Sequence, residues 1–449
     1  MASEMNHAIS PPMDVTQYKN MAGCKISRCS IQPENRVDLA LTGGNTSDLY
    51  FAVNARPNSF VNGMNTYMSF TYNLTGSTPS VGCYAGLANG AGSSFIKTLE
   101  VLAGSTSLEL VNSYNVIGSI VDDFQSAEHS KTMGSILNDN DIANIKVGRP
   151  RPLDYPDNTE RRICIPLLSC TIGTLAEKYL PMGKDIGLRV RMTMEDPNIC
   201  LVATDAAAVS VGTLGYTLKD ITLEVEYIEV PPQIYNGIAA ESGNVFKICG
   251  TGISSYSTTV SAGNQAQSLL IPARYSSVRN FFTSVRRQDY SGANAKWCNS
   301  VGARTRDNIT SYVYRIAGIN YPQLPVNVDA FTGAEVFTEL SKAWSAHASL
   351  DLNCVFNCDQ FVESGSGAVI KVAPARPLSQ VYGSFLMGIT FEESGFSSSQ
   401  MSGICTTSGN VFLDLTYSAG CQSTIFDTFC FYDNIIEINH LTGEVSVSR

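Results

Sequence analysis

Residues Tyr216 to Val230 read YTLKDITLEVEYIEV, and Pro231-Pro232 follow at once. Ile221, Leu223, Val225 and Tyr227 fall on one side of an extended chain, and Thr222, Glu224 and Glu226 on the other. That is the period of two expected of a half-buried antiparallel strand. The paired prolines lack two backbone donors and fix φ, so no strand ladder runs through them. Beyond them the chain starts a second series of short strands and closes it with another alternating segment near Ile438. The stretch therefore reads as the end of one β-rich half and the start of another.

Working back from it, Val37, Leu39 and Leu41 alternate, and Leu49, Phe51 and Val53 follow a Gly43-Gly44-Asn45 turn. Asn65 to Leu74 gives another strand, with Met68, Phe70 and Tyr72 on one face. Thr75 to Ser94 reads as a Gly/Ser/Ala loop, and Phe95 to Leu102 and Leu108 to Val111 as strands. A helix is predicted from Asp122 to Ile145 on Met133, Ile136 and Leu137, with a break at Asp139-Asn140-Asp141. Ile163 to Leu168 is apolar throughout and predicts a strand buried on both faces. Ile186 to Met194 alternates. Residues 1 to 30 show no period and read as an arm.

Working forward, Ser268 to Ile271, Val278 to Val285 and Tyr312 to Ile319 read as strands, and Tyr321 to Pro325 as non-helical. Ala334 to Ala346 predicts a helix with Val336, Phe337, Leu340, Ala343 and Trp344 on one stripe. Strands follow at Leu350 to Phe356, Phe385 to Phe391, Val411 to Tyr417 and Thr428 to Ile438. Each half runs strands, a helical insertion, then strands, although the halves share no recognisable letters. About eight short strands per half is the number in a jelly roll. The expected fold is all-β: two consecutive eight-stranded antiparallel jelly rolls at residues 31–230 and 238–449, an arm at 1–30 and a linker at 231–237.

Composition agrees with that division. The 449 residues are too many for one ordinary core, and two domains of roughly 200 residues are the natural expectation. Charged residues make up 16% of the chain, below the roughly 25% of ordinary soluble domains, so Ser, Thr, Asn and Gly must supply the polar surface. A net charge of −10 argues against wrapping nucleic acid. The basic clusters, Arg149 and Arg151 with Arg161-Arg162, and Arg274 to Arg287, are not interleaved with aromatic residues and read as loop and strand-face charges.

The 13 cysteines are odd in number and scattered, and Cys164, Cys249, Cys354 and Cys430 sit within apolar stretches. They read as buried thiols rather than a disulfide framework. The sequons at Asn45, Asn73 and Asn308 are short enough to arise by chance. No basic segment followed by an apolar run opens the chain, and no run reaches the roughly 18 apolar residues of a membrane span. The expectation is a soluble product made inside a cell.

Catalytic and metal constellations are absent from the pattern. Cys24-x4-Cys29 and Cys354-x3-Cys358 have the wrong spacing for zinc, and His7, His129, His347 and His440 form no local pair. There is no GxSxG elbow. Gly86 to Gly92 (GLANGAG) lacks the Lys-Ser/Thr of a phosphate loop and reads as a flexible surface loop. Asp122-Asp123 and Glu392-Glu393 read as solvated turn charges. No catalytic, cofactor-binding or metal residue, and no cofactor, is expected.

Several strings occur in a telling order: Ser384-Phe385-Leu386-Met387-Gly388-Ile389, Met401-Ser402-Gly403-Ile404, Val411 to Tyr417, and Phe426 to Ile438 (FDTFCFYDNIIEI). This resembles the closing strands of the double jelly-roll major capsid proteins of polinton-like viruses and virophages, in the tectivirus–adenovirus lineage. Ile163 to Leu168 with Lys178 to Met182 resembles a stretch of that family's first barrel. Ile271-Pro272-Ala273, Val278 to Arg286, and Tyr314-Arg315-Ile316 with Tyr321-Pro322 resemble the opening of its second. The likeness spans residues 35 to 440, with a chain short for virophage members.

The resemblance implies a non-enzymatic capsid subunit of a double-stranded DNA virus. Three copies would form a trimer of pseudo-hexameric outline that tiles an icosahedral shell in the virion. Its partners would be further copies, penton and minor or cement capsid proteins, and an inner membrane reached by the N-terminal arm. Neither a sequence-specific nucleic acid nor a small-molecule substrate is implied. Two other readings stay open. One is a two-domain jelly-roll carbohydrate-binding or adhesion protein, for which Trp297 is the loop tryptophan. The other is a jelly-roll glycosidase, needing two carboxylates about 5 Å or more apart across a groove.

Overall fold

Strand β13 (Leu214–Glu229) buries Leu214, Tyr216 and Leu218 on its even positions and Ile221, Leu223, Val225 and Tyr227 on its odd ones. The phase changes at Lys219-Asp220. There the pairing with the strand Ser59–Gly76 slips by one residue and Asp220 adopts φ 49°. A β-bulge of this kind takes up one extra residue and keeps the apolar side chains pointed at one core. These coordinates come from a computed structural model, which describes residues 23–76, 84–139, 151–152, 160–176, 178–182, 186–204, 214–288, 301–345, 354–356, 358–362, 383–392 and 403–449.

The first half contains β1 (Lys25–Ile31), β2 (Leu39–Thr42), β3 (Ser47–Val53), β4 (Ser59–Gly76), β5 (Tyr84–Leu87), β6 (Ile96–Ala103) and β7 (Thr106–Val111). Helix α1 (Tyr114–Asp123) follows, then β8 (Arg151–Pro152), β9 (Arg161–Pro166), β10 (Leu180–Pro181), β11 (Leu188–Met194), β12 (Leu201–Thr204) and β13. One sheet has the order β1-β13-β4-β10, with β2 also on β13 and β9 also on β4. The facing sheet has the order β3-β11-β6-β7, and β12-β5-β8 form a small third sheet.

Helix α2 (Pro232–Glu241) leads to β14 (Val245–Val260), β15 (Ala266–Ile271), β16 (Val278–Arg287), β17 (Ile309–Ile316) and β18 (Ile319–Asn327). Helix α3 (Ala334–Ser345), β19 (Leu386–Thr390), β20 (Val411–Tyr417), β21 (Thr424–Asn439) and β22 (Val445–Ser448) complete the chain. The sheets have the orders β14-β21-β16-β19 and β15-β20-β17-β18, with β22 on β21. Position for position, this repeats the first half. In both, the opening strand, β1 or β14, pairs with the long strand β13 or β21 near the end of that half, and the two main antiparallel sheets take their strands in the same order, the topology of a jelly roll. The fold is a double jelly roll.

Each barrel is closed by its inward side chains. Leu49, Phe51, Val53, Leu99, Val101, Val190 and Met192 are fully buried, and Phe95 packs edge-on against Phe70 and Tyr216 at centroid distances of 5.5 and 4.8 Å. In the second barrel, Phe281 stacks on Tyr314 at 5.6 Å, and Val336, Leu340 and Ala343 bury one stripe of α3. That helix comes close to β19 because Gly388 has no side chain: a Cβ there would lie 3.2 Å from the Cα of Leu340.

Several expectations are corrected. Residues 25–30, read as part of the arm, pair with β13 together with Ile31. The helix predicted from Asp122 is helical over residues 127–137 and ends just before the break expected at 139–141, and an unpredicted helix, α1, precedes it. Helix α1 is buried on nearly every side, its polar positions Asn115, Ser119 and Asp122 included, whereas Met133 and Ile136, on which the prediction rested, are 50% and 74% exposed. In β9 only Ile163 and Ile165 are buried and Pro166 is exposed, so one face is open. The GLANGAG segment is not a surface loop, since Gly86 to Gly92 is buried throughout. The strand expected at Tyr312 to Ile319 turns at Ala317-Gly318, both at positive φ. The linker is largely helical, because proline is tolerated in a first turn where its missing N–H had no partner. Most of the strand expected at Leu350 to Phe356, the latter part of the first predicted helix, and Trp297 lie outside the described residues.

Candidate functional site

Where the barrels meet, β7 of the first packs on β14 of the second. Leu108 and Glu109, adjacent on β7 and so on opposite faces, are both fully buried: one faces the core of its own barrel, the other the seam. Small residues allow the approach. A Cβ on Gly250 of β14 would lie 3.1 Å from that of Cys170, and one on Gly302 would overlap Asn89 at 2.2 Å.

Polar groups in the seam are paired across it. Asn434 Nδ2 donates to the carbonyl of Leu108 at 3.1 Å, Ser255 Oγ to that of Asn112 at 2.9 Å, and the Arg449 guanidinium to that of Ser107 at 2.7 Å. Glu109 accepts from Ser169 Oγ at 2.5 Å and from the Cys170 amide at 3.0 Å. Burial pushes the Glu109 carboxyl above its usual range, against these hydrogen bonds. Burial likewise raises the Cys170 thiol, which the neighbouring Glu109 carboxylate raises further.

The deepest contact is ionic. Arg304, in the segment before β17, has a fully buried side chain and pairs with Asp123 at the end of α1. Its Nη1 also reaches Ser119 Oγ at 3.5 Å, and the carbonyl of Asp123 accepts from the Val355 amide at 3.1 Å. Beside it Phe124 packs on Trp344 at 4.6 Å and on Phe356 at 5.5 Å. Asp123 is therefore a buried ion-pair partner, not a solvated turn charge, and Asp122 is buried too. Glu392 is corrected in the same way: its side chain is 5% exposed and pairs with Arg279, which also donates to Thr251 Oγ1 at 2.6 Å. Arg286 pairs with Asp427 at 2.6 Å, so two cations of the Arg274 to Arg287 cluster are engaged with carboxylates. The local sequence carried no signal for these pairs, since their partners lie more than a hundred residues away.

Among the described residues, no group of three or more His, Cys, Asp or Glu side chains is placed to hold a metal. The eleven described cysteines are free thiols; Cys249 and Cys430 are buried, and Cys164 and Cys354 partly so. Asn45 is exposed and Asn73 and Asn308 are half-buried. Among the described residues, no helix is long and apolar enough to cross a membrane. An open groove of about 390 Å³ lies by Ser268, Val313, Pro325 and Asp414, and one of about 510 Å³ by Gly23, Lys25, Pro231 and Pro232.

No family model matches the chain, and no curated protein matches it. Solved structures do. The PBCV-1 protein VP54, as fitted into a reconstruction of the virophage Sputnik, aligns at 10% identity and a TM-score of 0.56, covering 95% of this chain and 97% of its own. A chain of the Sputnik virophage structure aligns at 10% identity and 0.57, covering 95% and 89%. The Faustovirus major capsid protein aligns at 10% identity and 0.56, covering 94% and 91%. At this identity the likeness is one of fold, and it runs through both barrels.

Proposed function

We propose that this chain is a viral major capsid protein, a non-enzymatic subunit located in the shell of a virion. The observation that carries the reading is the pair of jelly rolls with the same strand order, matched from end to end by the PBCV-1, Sputnik and Faustovirus chains. The finer reading is a homotrimer. Three chains with two similar barrels each place six near-equivalent towers around one axis, an outline that tiles a hexagonal lattice and hence the facets of an icosahedral shell. The partners that follow are neighbouring trimers, penton and minor or cement capsid proteins, and an inner membrane approached by the N-terminal residues. No observation favours the carbohydrate-binding alternative.

The test is the mass of the purified full-length chain in solution, followed by electron microscopy of the same sample. A species near three times 48.4 kDa with a hexagonal outline is expected. A monomer that persists at high concentration would refute the trimer.

A further inference from the structure

Three side chains converge in the first barrel from the start of β6, the start of α1 and the end of β11. Lys97 is the second residue of β6, Asn115 lies in the first turn of α1, and Glu195 follows directly on β11. Helix α1 packs on β6, and the Glu195 amide donates to the carbonyl of Phe95, two residues before Lys97, at 2.8 Å. Glu195 Oε1 lies 3.9 Å from Lys97 Nζ, and Oε2 accepts from Asn115 Nδ2 at 3.0 Å. One carboxylate therefore holds an amine beside one oxygen and a carboxamide on the other.

The surroundings suit a reaction between the two. Asn115 and Glu195 are 3% and 4% exposed, which keeps water from the amide. Asn115 Oδ1 accepts from the Val116 amide at 2.9 Å, a donor already placed where negative charge would develop on that oxygen. Burial raises the Glu195 carboxyl above its usual range, against the lowering by the Asp196 amide, Lys97 and Asn115, so it takes up a proton readily. The Asp196 amide, 2.9 Å from Oε1, holds the carboxylate in place. The Lys97 side chain is 47% exposed, and its flexible stem lets the amine turn from Oε1 toward the amide.

We infer that Lys97 and Asn115 join in an isopeptide bond, formed within the folded chain with Glu195 as the proton carrier. The Lys97 ammonium gives a proton to Glu195. Nζ then attacks Asn115 Cγ, and the carbonyl electron pair moves onto Oδ1, where the Val116 amide donates. Glu195 passes its proton to Nδ2, the Cγ–Nδ2 bond breaks with its electron pair on nitrogen, and the carbonyl re-forms. The new amide nitrogen sheds its extra proton through Glu195 to the departing ammonia, so ammonium leaves and the carboxylate is restored. No oxidant or reductant enters. The bond ties β6 to α1, the elements that flank β7 in the chain, and so braces the strand that meets the second barrel.

Mass spectrometry of the purified full-length chain tests it. The denatured chain should be lighter than its sequence by about 17 Da, the mass of one ammonia. Trypsin should fail to cut after Lys97, and cleavage after Glu100 and Glu109 should leave the two flanking peptides joined. Lys97→Arg keeps a cation beside Glu195 but supplies no attacking amine, and Glu195→Gln removes the proton carrier; both full-length variants should show the undiminished mass. Lys97→Arg alters a half-exposed side chain, so its circular dichroism should match the unaltered chain while its thermal midpoint falls, because the unfolded chain is no longer cross-linked. An unaltered chain of full sequence mass that trypsin cuts after Lys97 would overturn the bond, and so would a mass loss that persists in Lys97→Arg. A Glu195→Gln chain that still carries the cross-link would overturn the part given to Glu195.

Discussion

Arg304 has no surface exposed to water, and its charge is held by Asp123 from the other barrel. Its Nε has no hydrogen-bond partner among the described residues, so the guanidinium already sits in a demanding environment. Removing one member of a buried pair leaves the other charge desolvated and uncompensated, a loss of about 3–5 kcal/mol, whereas replacing both by apolar groups is often close to neutral. Arg304→Met should therefore lower the stability measured by urea denaturation by about that amount, and Arg304→Met with Asp123→Leu should recover most of it. A double variant as unstable as the summed single variants would show that the two charges do not act as a pair. The same logic applies to Arg279 with Glu392 inside the second barrel.

At the scale of elements, close packing as well as charge governs how the segment before β17 meets the first barrel. A Cβ on Gly302 would overlap the Asn89 Cβ, so backbone would have to move. Overpacking of this kind costs about 1–3 kcal/mol, and Gly302→Ala should lower the thermal unfolding midpoint. Gly237, within α2, has nothing within 4 Å of the place a methyl group would take, so Gly237→Ala should raise the midpoint through helix propensity by up to about 1 kcal/mol. Opposite signs from the same chemical change would separate the two causes. The bulge at Lys219-Asp220 is another device of this scale, since it lets one 16-residue strand serve a single core despite a change of phase.

For the molecule as a whole, the seam decides whether two barrels behave as two proteins or one. Hydrogen bonds from Asn434, Ser255 and Arg449 cross it, as do the Arg304–Asp123 pair and the packing of Phe124 on Trp344. Opening it would expose charge, unpaired carbonyls and aromatic surface together. Calorimetry of the full chain should accordingly show one endotherm for both barrels, and the Arg304→Met variant should broaden or split it. Two well-separated endotherms in the unaltered chain would mean that the seam contributes little to cohesion.

Strand alternation in Tyr216 to Val230, Ile186 to Met194 and Val411 to Tyr417, and the stripe on Ala334 to Ala346, were legible in the sequence because a one-sided core imposes its period on neighbouring residues. From those elements, their number and the proline break, the double jelly roll followed, and the strings near the C-terminus pointed to capsid proteins. Only the tertiary structure revealed the buried roles of Asp123, Arg304, Glu109 and Glu392, the burial of the GLANGAG segment, and helix α1. Those residues answer to partners far away in the chain. A carboxylate that meets its arginine 181 residues later carries the same letters as one facing water, and the polar stripe Asn115, Ser119 and Asp122 of α1 reads like a solvent face although it is buried.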